Sequence, residues 1–271
     1  MPNFGAIGNI LNNTFQDSIR AKWLIIFSII YFLLAINIPL LVLLIANFIP
    51  PNFLQLYLST FVQVAYPFVP LLTLPMGAAV IVDERESGTL QYMMANPISK
   101  FDFLLGRMVG MLLATTLVIL VGFGIATVFV YGTDWSNYAP LLISAAAAGL
   151  LNAIMLGVAF ILSVMSKRKA TAIGIAVFLW LLFTVIGNIA LLSAPTAIVG
   201  LFPTLLNPIY IAQDWAYILL SNKISTQTSN TLLITHIFGH NVFVALFGSL
   251  VLWLIVVWVV TFLIFRHQDV V

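Results

Sequence analysis

Residues 107–131 read RMVGMLLATTLVILVGFGIATVFVY. After the opening arginine the stretch carries no charge, and it is longer than the about 20 apolar residues a helix needs to cross a bilayer. Five more stretches read the same way: 23–47, 58–82, 140–165, 170–192 and 242–265. None holds Asp, Glu, Lys, Arg or His away from its ends. The two-residue alternation of a membrane barrel is missing. Only residues 166–169 separate the fourth stretch from the fifth, so those two form an antiparallel hairpin. The chain therefore reads as an all-α integral membrane protein with six transmembrane helices, forming one membrane domain over residues 1–271.

Composition agrees. The 10 Lys and Arg and 8 Asp and Glu make up 7% of 271 residues, and hydrophobic residues make up 62%. A soluble domain carries about 25% charged residues, so a soluble enzyme, a nucleic-acid binder and a disordered chain are all excluded. Cysteine is absent, which removes disulfides, thiolate metal sites and Cys nucleophiles together. Residues 1–19 lack a basic leader, and Asn12, Asn13, Gln16 and Asp17 interrupt their apolar positions, so they do not read as a cleavable signal.

The basic residues set the orientation. Arg20 and Lys22 precede the first span, and Arg85, Lys100 and Arg107 lie between the second and third. Lys167, Arg168 and Lys169 lie between the fourth and fifth, and Arg266 follows the sixth. Lys223 alone falls on the other side. By the positive-inside rule both termini are cytoplasmic.

Phe4, Ile7, Leu11, Phe15 and Ile19 recur at spacings of 3 and 4, which predicts an amphipathic N-terminal helix on the cytoplasmic interface. The outer segment 193–241 is too apolar between Ile198 and Leu220 for a free loop, so it reads as re-entrant or interfacial helix.

The spans hold no group that binds and releases charge, which argues against an ion pump or proton-coupled carrier. His236 and His240 share a helical face, but two imidazoles without a carboxylate or thiolate make half a metal site, and no metal is expected. Span 2 carries Pro67, Pro70 and Pro75, each of which removes a backbone donor, so this helix is expected to kink or break beside a substrate path. Ala145, Gly149, Ala153 and Gly157 form a stripe of small residues for close helix packing.

The loop between spans 2 and 3 is the most informative part. Residues 83–107 read DERESGTLQYMMANPISKFDFLLGR and hold 7 of the charged residues. A short helix is expected between Glu86 and Ala95, with Thr89, Leu90, Met93 and Met94 on its apolar face. Pro97 ends it, and Ser99 caps the helix that runs from Lys100 into span 3. Such a short helix suits docking in a groove on a cytoplasmic partner and passing its motion to two spans.

Glu84, Glu86, Gly88, Thr89, Leu90, Pro97, Ser99, Lys100, Gly106 and Arg107 together resemble the type-2 ABC transporter permeases. The six spans and cytoplasmic termini fit that family. Within it, the short loop between spans 1 and 2 and Leu206-Asn207-Pro208 are most similar to the permease of copper-enzyme maturation systems, such as the one serving nitrous oxide reductase. Residues 209–212 lack the acidic and Arg residues that often follow in that group.

The resemblance implies an exporter half that forms a dimer with a second permease copy or paralogue in the plasma membrane. It implies a separate cytoplasmic ABC ATPase subunit, docked on Glu84, Glu86, Gly88, Thr89, Leu90, Met93, Met94 and Pro97. No G-x-x-x-x-G-K-[ST] stretch is present, so the chain is not expected to hydrolyse ATP itself, and with no catalytic constellation in the sequence it does not read as an enzyme. It needs no cofactor of its own; ATP and Mg²⁺ belong on the partner. Spans 2 and 5 line the path in the family. Here they offer Gln63, Pro67, Pro70, Thr73 and Pro75, with Thr184 and Asn188 opposite. Apolar path residues favour a lipid, hydrophobic drug or similar amphiphile as substrate, whereas the subgroup resemblance implies a small sulfur or copper-related species for enzyme assembly. The competing reading is a non-transporting structural subunit of a larger membrane complex, which has no use for an ATPase-docking helix.

Overall fold

A computed structural model describes residues 4–20, 25–26, 28–30, 33, 41, 44, 53–94, 98–131, 139–186, 206–219 and 239–267. Every regular element among them is helical. In chain order these are α1 (Phe4–Arg20), α2 (Phe53–Glu86), α3 (Thr89–Met94), α4 (Lys100–Tyr131) and α5 (Ala139–Met165). Then come α6 (Lys169–Leu181) with a π turn at Leu182–Ile186, α7 (Pro208–Leu219) and α8 (Val242–His267). Segments of α2, α4, α5 and α8 are long and apolar enough to cross a membrane, and α6 with its π turn is a shorter apolar helix. Of the first predicted span only scattered residues are described, and those are helical. Asn188, Pro97 and His236 lie outside the described residues.

α5 occupies the middle of the bundle and packs on α2, α4, α7 and α8. Its small-residue stripe works as expected where α8 crosses. A Cβ on Gly157 would stand 2.6 Å from Val257 and 3.0 Å from Trp258. The close approach exposes α5 carbonyls to α8 donors. Trp258 Nε1 donates to the Ala153 carbonyl at 3.0 Å, and Thr261 Oγ1 to that of Gly157 at 3.2 Å. On another face, Asn152 Nδ2 donates to the hydroxyls of Thr115 and Thr116 on α4 at 2.9 and 3.0 Å. The amide nitrogen of a polar side chain in the bundle is thereby bonded by a neighbouring helix.

The three prolines do not break α2, which runs unbroken through Pro67, Pro70 and Pro75. Of the two outcomes expected, kink or break, the break is corrected: the helix stays continuous, and side chains of other helices bond the carbonyls around the prolines. Pro67 cannot donate to the carbonyl four residues earlier, that of Gln63. Gln213 Nε2 of α7 reaches that carbonyl at 3.4 Å and that of Val62 at 3.5 Å. Trp180 Nε1 of α6 donates to the Pro67 carbonyl at 2.7 Å. The irregular stretch of α2 is therefore held from two sides.

α1 is amphipathic as expected, and it packs along α4. Thr14 and Ser18 face inward while Phe4 points out, 80% exposed. The contact is close because α4 offers Gly106 and Gly110 one turn apart. A Cβ would come within 2.9 Å of Ile10 at the first and 2.7 Å of the Leu11 carbonyl at the second.

α7 starts at the Asn-Pro pair. Asn207 Oδ1 accepts from the Ile209 N–H at 3.0 Å, an N-cap followed by proline at the first helical position. Its Nδ2 donates to the Phe183 carbonyl in the π turn at 2.6 Å, tying α7 to the end of α6. From Asn207 to Tyr217 every residue is buried. The apolar part of segment 193–241 is thus helical where it is described.

Candidate coupling site at the basic end of the bundle

The segment read as the start of a loop at residue 83 is instead the last turn of α2, which continues to Glu86. Four consecutive side chains there each grip the rest of the bundle. Asp83 pairs with Lys169 at 2.9 Å, and Glu84 pairs with Arg107. Arg85 Nη1 donates to the carbonyls of Val164 and Ser166, 3.2 and 2.9 Å away, at the end of α5. Glu86 Oε1 accepts from the Lys169 N–H at 3.0 Å, capping α6, whose own N-cap Arg168 makes no side-chain cap bond. One helical turn thus fastens α2 to α4, α5 and α6.

Arg107 is the centre of this arrangement. Besides Glu84, its guanidinium donates to Thr14 Oγ1 of α1 at 3.1 Å and to Met93 Sδ of α3 at 3.8 Å. It stands 5.9 Å from the centre of the Phe103 ring. Glu84 and Arg107 are each only 12% exposed, whereas Asp83 and Lys169 are about half exposed. Removing one member of a buried pair costs about 3–5 kcal/mol, because the other charge is left unpaired. A surface pair contributes less than about 1 kcal/mol. The Glu84–Arg107 pair therefore dominates the site.

α2 ends through Gly88, whose φ of +75° is the left-handed conformation that a β-carbon disfavours. Ser87 and Thr89 hydroxyls both donate to the Glu84 carbonyl at 3.3 Å, closing the turn. α3 follows at once and spans six residues, shorter than expected. Leu90 is buried and Met93 packs on the core, so these two residues of the expected docking face turn toward their own bundle. Thr89 and Gln91 face outward with Glu86, Ser87 and Gly88. Ser99 caps α4 as the sequence predicts, accepting from the Asp102 N–H at 3.0 Å.

The expected path residues are less gathered. α2 and α6 do pack together, joined by the Trp180 bond to Pro67. Gln63 is exposed and Pro67 half-buried, while Pro70 and Pro75 are buried. Thr73 is fully buried, and its hydroxyl bonds the Val69 carbonyl of its own helix at 2.5 Å. Thr184 is half-buried in the π turn, where its carbonyl accepts from the Tyr210 hydroxyl at 3.5 Å.

Sequence reasoning missed Asp214. It sits on α7, which at 12 residues is too short to span, and α7 packs against α2, α5 and α8. Asp214 is 4% exposed, and its Oδ2 has no hydrogen-bond partner. Burial pushes its carboxyl up to about 7. The signal was present as one acid inside an otherwise apolar run. Among the described residues no cluster of three His, Cys, Asp or Glu could hold a metal.

With this geometry in place, comparison with known proteins gives a consistent result. Residues 8–270 match the model of a family described as ABC-2 family transporter protein. The chain is 28% identical over 196 residues to the probable ABC transporter permease protein NosY of Stutzerimonas stutzeri, covering 69% of this chain and 70% of that protein. It is also 28% identical over 192 residues to the protein of the same description from Pseudomonas aeruginosa, with the same coverage.

Proposed function

The chain belongs to the ABC-2 family of transporter proteins and is a multi-pass permease of the plasma membrane, and from that premise we propose that it is the membrane subunit of an exporter driven by a separate cytoplasmic ATPase. In this reading it crosses the membrane six times with both termini in the cytoplasm, and two permease subunits pair. ATP and Mg²⁺ act on the partner. The chain itself performs no chemistry.

The observation that carries the reading is the sequence of four grips at the end of α2. A push on α3 meets a turn joined to α4 by Glu84, to α5 by Arg85 and to α6 by Asp83 and Glu86. Displacement at one short helix is therefore delivered to four long ones at once. A solvated loop would dissipate it. The outward residues Glu86, Ser87, Gly88, Thr89 and Gln91 form the edge a partner would touch, while Glu84, Leu90 and Met93 hold that edge in place from behind. Met94 and Pro97 complete the docking segment. Gln63, Thr184 and Asn188, with the proline-bearing stretch of α2, line the route.

The test is co-purification in mild detergent followed by ATPase assay. An ATPase with Walker motifs should come down with the chain, and Thr89→Arg with Gln91→Arg should release it while the permease still inserts. Recovery of a large membrane enzyme with no ATPase would overturn the reading.

A further inference from the structure

Lys100 opens α4 and Arg266 stands in the last turn of α8, 166 residues apart in the chain. The fold brings them to one place, where Lys100 Nζ reaches the Arg266 carbonyl at 3.5 Å. Beside that contact lies a cavity of about 220 Å³, lined by these two cations with Phe101, Phe262, Leu263 and Phe265. No carboxylate lines it. Asp102, the nearest acid in sequence, is buried and takes no part in the lining. Arg266 is exposed and has no ion-pair partner among the described residues.

The apolar wall is held in place by ring pairs. Phe101 stacks on Phe262 with centroids 4.9 Å apart, and Phe103 stacks on the buried Phe265 at 6.1 Å, so α4 and α8 are joined directly behind the cations. Phe101 and Leu263 still keep half their surface turned outward. Both helices are long and apolar enough to cross a membrane, and the cavity lies at their shared end. That end is at head-group depth whichever way the bundle faces. Pockets that enclose a drug-sized molecule measure about 300–1,000 Å³, so this smaller one suits a head group whose chains lie outside it. A soluble anion would meet the cations and leave the exposed rings unused. A zwitterionic head brings its own cation toward two others.

We propose that the cleft between the start of α4 and the end of α8 is a binding site for an anionic phospholipid, its phosphate between Lys100 and Arg266 and an acyl chain along Phe101 and Leu263. Basic pockets between spanning helices at a membrane surface take head groups of this kind. The site rests on α4 and α8 crossing the membrane, not on the ATPase reading, so either can fail without the other.

The full chain is placed in phosphatidylcholine nanodiscs containing a trace of phosphatidylglycerol with a photoactivatable diazirine in one acyl chain. Phosphatidylcholine carrying the same chains is the control, and crosslinked peptides are mapped by mass spectrometry. The anionic lipid should label the peptides containing Phe101 and Leu263 about thirtyfold more than the control, since each basic residue at the surface contributes about fivefold. Arg266→Gln should lower that preference to about fivefold, and Lys100→Gln with Arg266→Gln should abolish it. Lys100→Arg keeps the charge and should keep the preference, which separates loss of binding from loss of fold. Residues 170–175 adjoin the basic turn 167–169, which lacks this cavity, and they should show a much smaller preference. An equal preference there reduces the effect to general attraction and overturns the proposal, as does a preference that survives the double variant. Displacement of the lipid by soluble glycerol phosphate also overturns it, in favour of a free anion.

Discussion

Arg107 of α4 and Glu84 of α2 form an ion pair in which each side chain keeps only 12% of its surface exposed. The arginine also donates to Thr14 of α1 and Met93 of α3. One guanidinium thus joins the N-terminal helix, the short helix and two long helices. Lysine could not replace it, because a single ammonium lacks the planar fork that meets several acceptors in fixed directions.

Arg107→Ala should therefore destabilise the protein by about 3–5 kcal/mol, since Glu84 is left buried and unpaired. Glu84→Gln should cost less, because an amide can still accept from the arginine. The double variant Glu84→Leu with Arg107→Leu should recover much of the loss. Thermal unfolding in detergent of the three variants checks the order; an Arg107→Ala protein as stable as the parent would show that the pair is not structural.

The contact between α1 and α4 gives a sharper steric test. Gly110→Leu places side-chain atoms where the Leu11 backbone and Thr14 already stand. Helix α1 must lift, and overpacking of this kind costs about 1–3 kcal/mol. The residues of α1 should become open to protease while α4 still inserts. Unchanged protection of residues 4–20 would count against the packing.

A third test addresses the prolines. Gln213→Leu removes the donor that reaches the carbonyls of Val62 and Gln63. The Gln63 carbonyl, which Pro67 leaves without its helical donor, then loses that bond, at about 1 kcal/mol. Pro67→Ala in the same background supplies a backbone donor to Gln63 and should restore part of the stability. Absence of any rescue in that double variant would mean the glutamine acts elsewhere.

These cases show which parts of the structure could be read in advance. The long apolar helices, the tight turn between α5 and α6, the Ser99 cap and the packing role of Gly157 depend on local composition or spacing, and each was legible. The fate of the prolines was not, because the donors that compensate them lie more than 100 residues away at Trp180 and Gln213. The same holds for the end of α2. Charges at 83–86 look like a solvated loop in sequence, and only their partners at 107, 164, 166 and 169 show that the helix continues. Glu84 reads in sequence as part of a docking segment, and its direction, inward to Arg107, was not legible.

Orientation can be checked independently of any partner. The native chain has no cysteine, so single thiols report cleanly. Arg168→Cys should react only with a reagent supplied from the cytoplasm, and Lys223→Cys only from outside. The reverse pattern would invert the bundle and place the turn at Gly88 out of reach of any ATPase.

Asp214 makes stability depend on pH in a direction opposite to the usual acidic residue. Its carboxyl moves from an ordinary 3.8 in the unfolded chain to about 7 in the fold, because burial disfavours the charge. Between those values the folded protein holds a proton that the unfolded chain has lost. Stability contributed by this group is therefore greatest below about pH 4, falls as pH rises toward 7, and is level above that. The total change is on the order of a few kcal/mol. Asp214→Asn should flatten this part of the profile and raise the unfolding temperature at pH 8 while leaving it little changed at pH 4. Unfolding curves of the two proteins across that interval decide the matter. If they run parallel, the carboxylate already has a partner that offsets its burial.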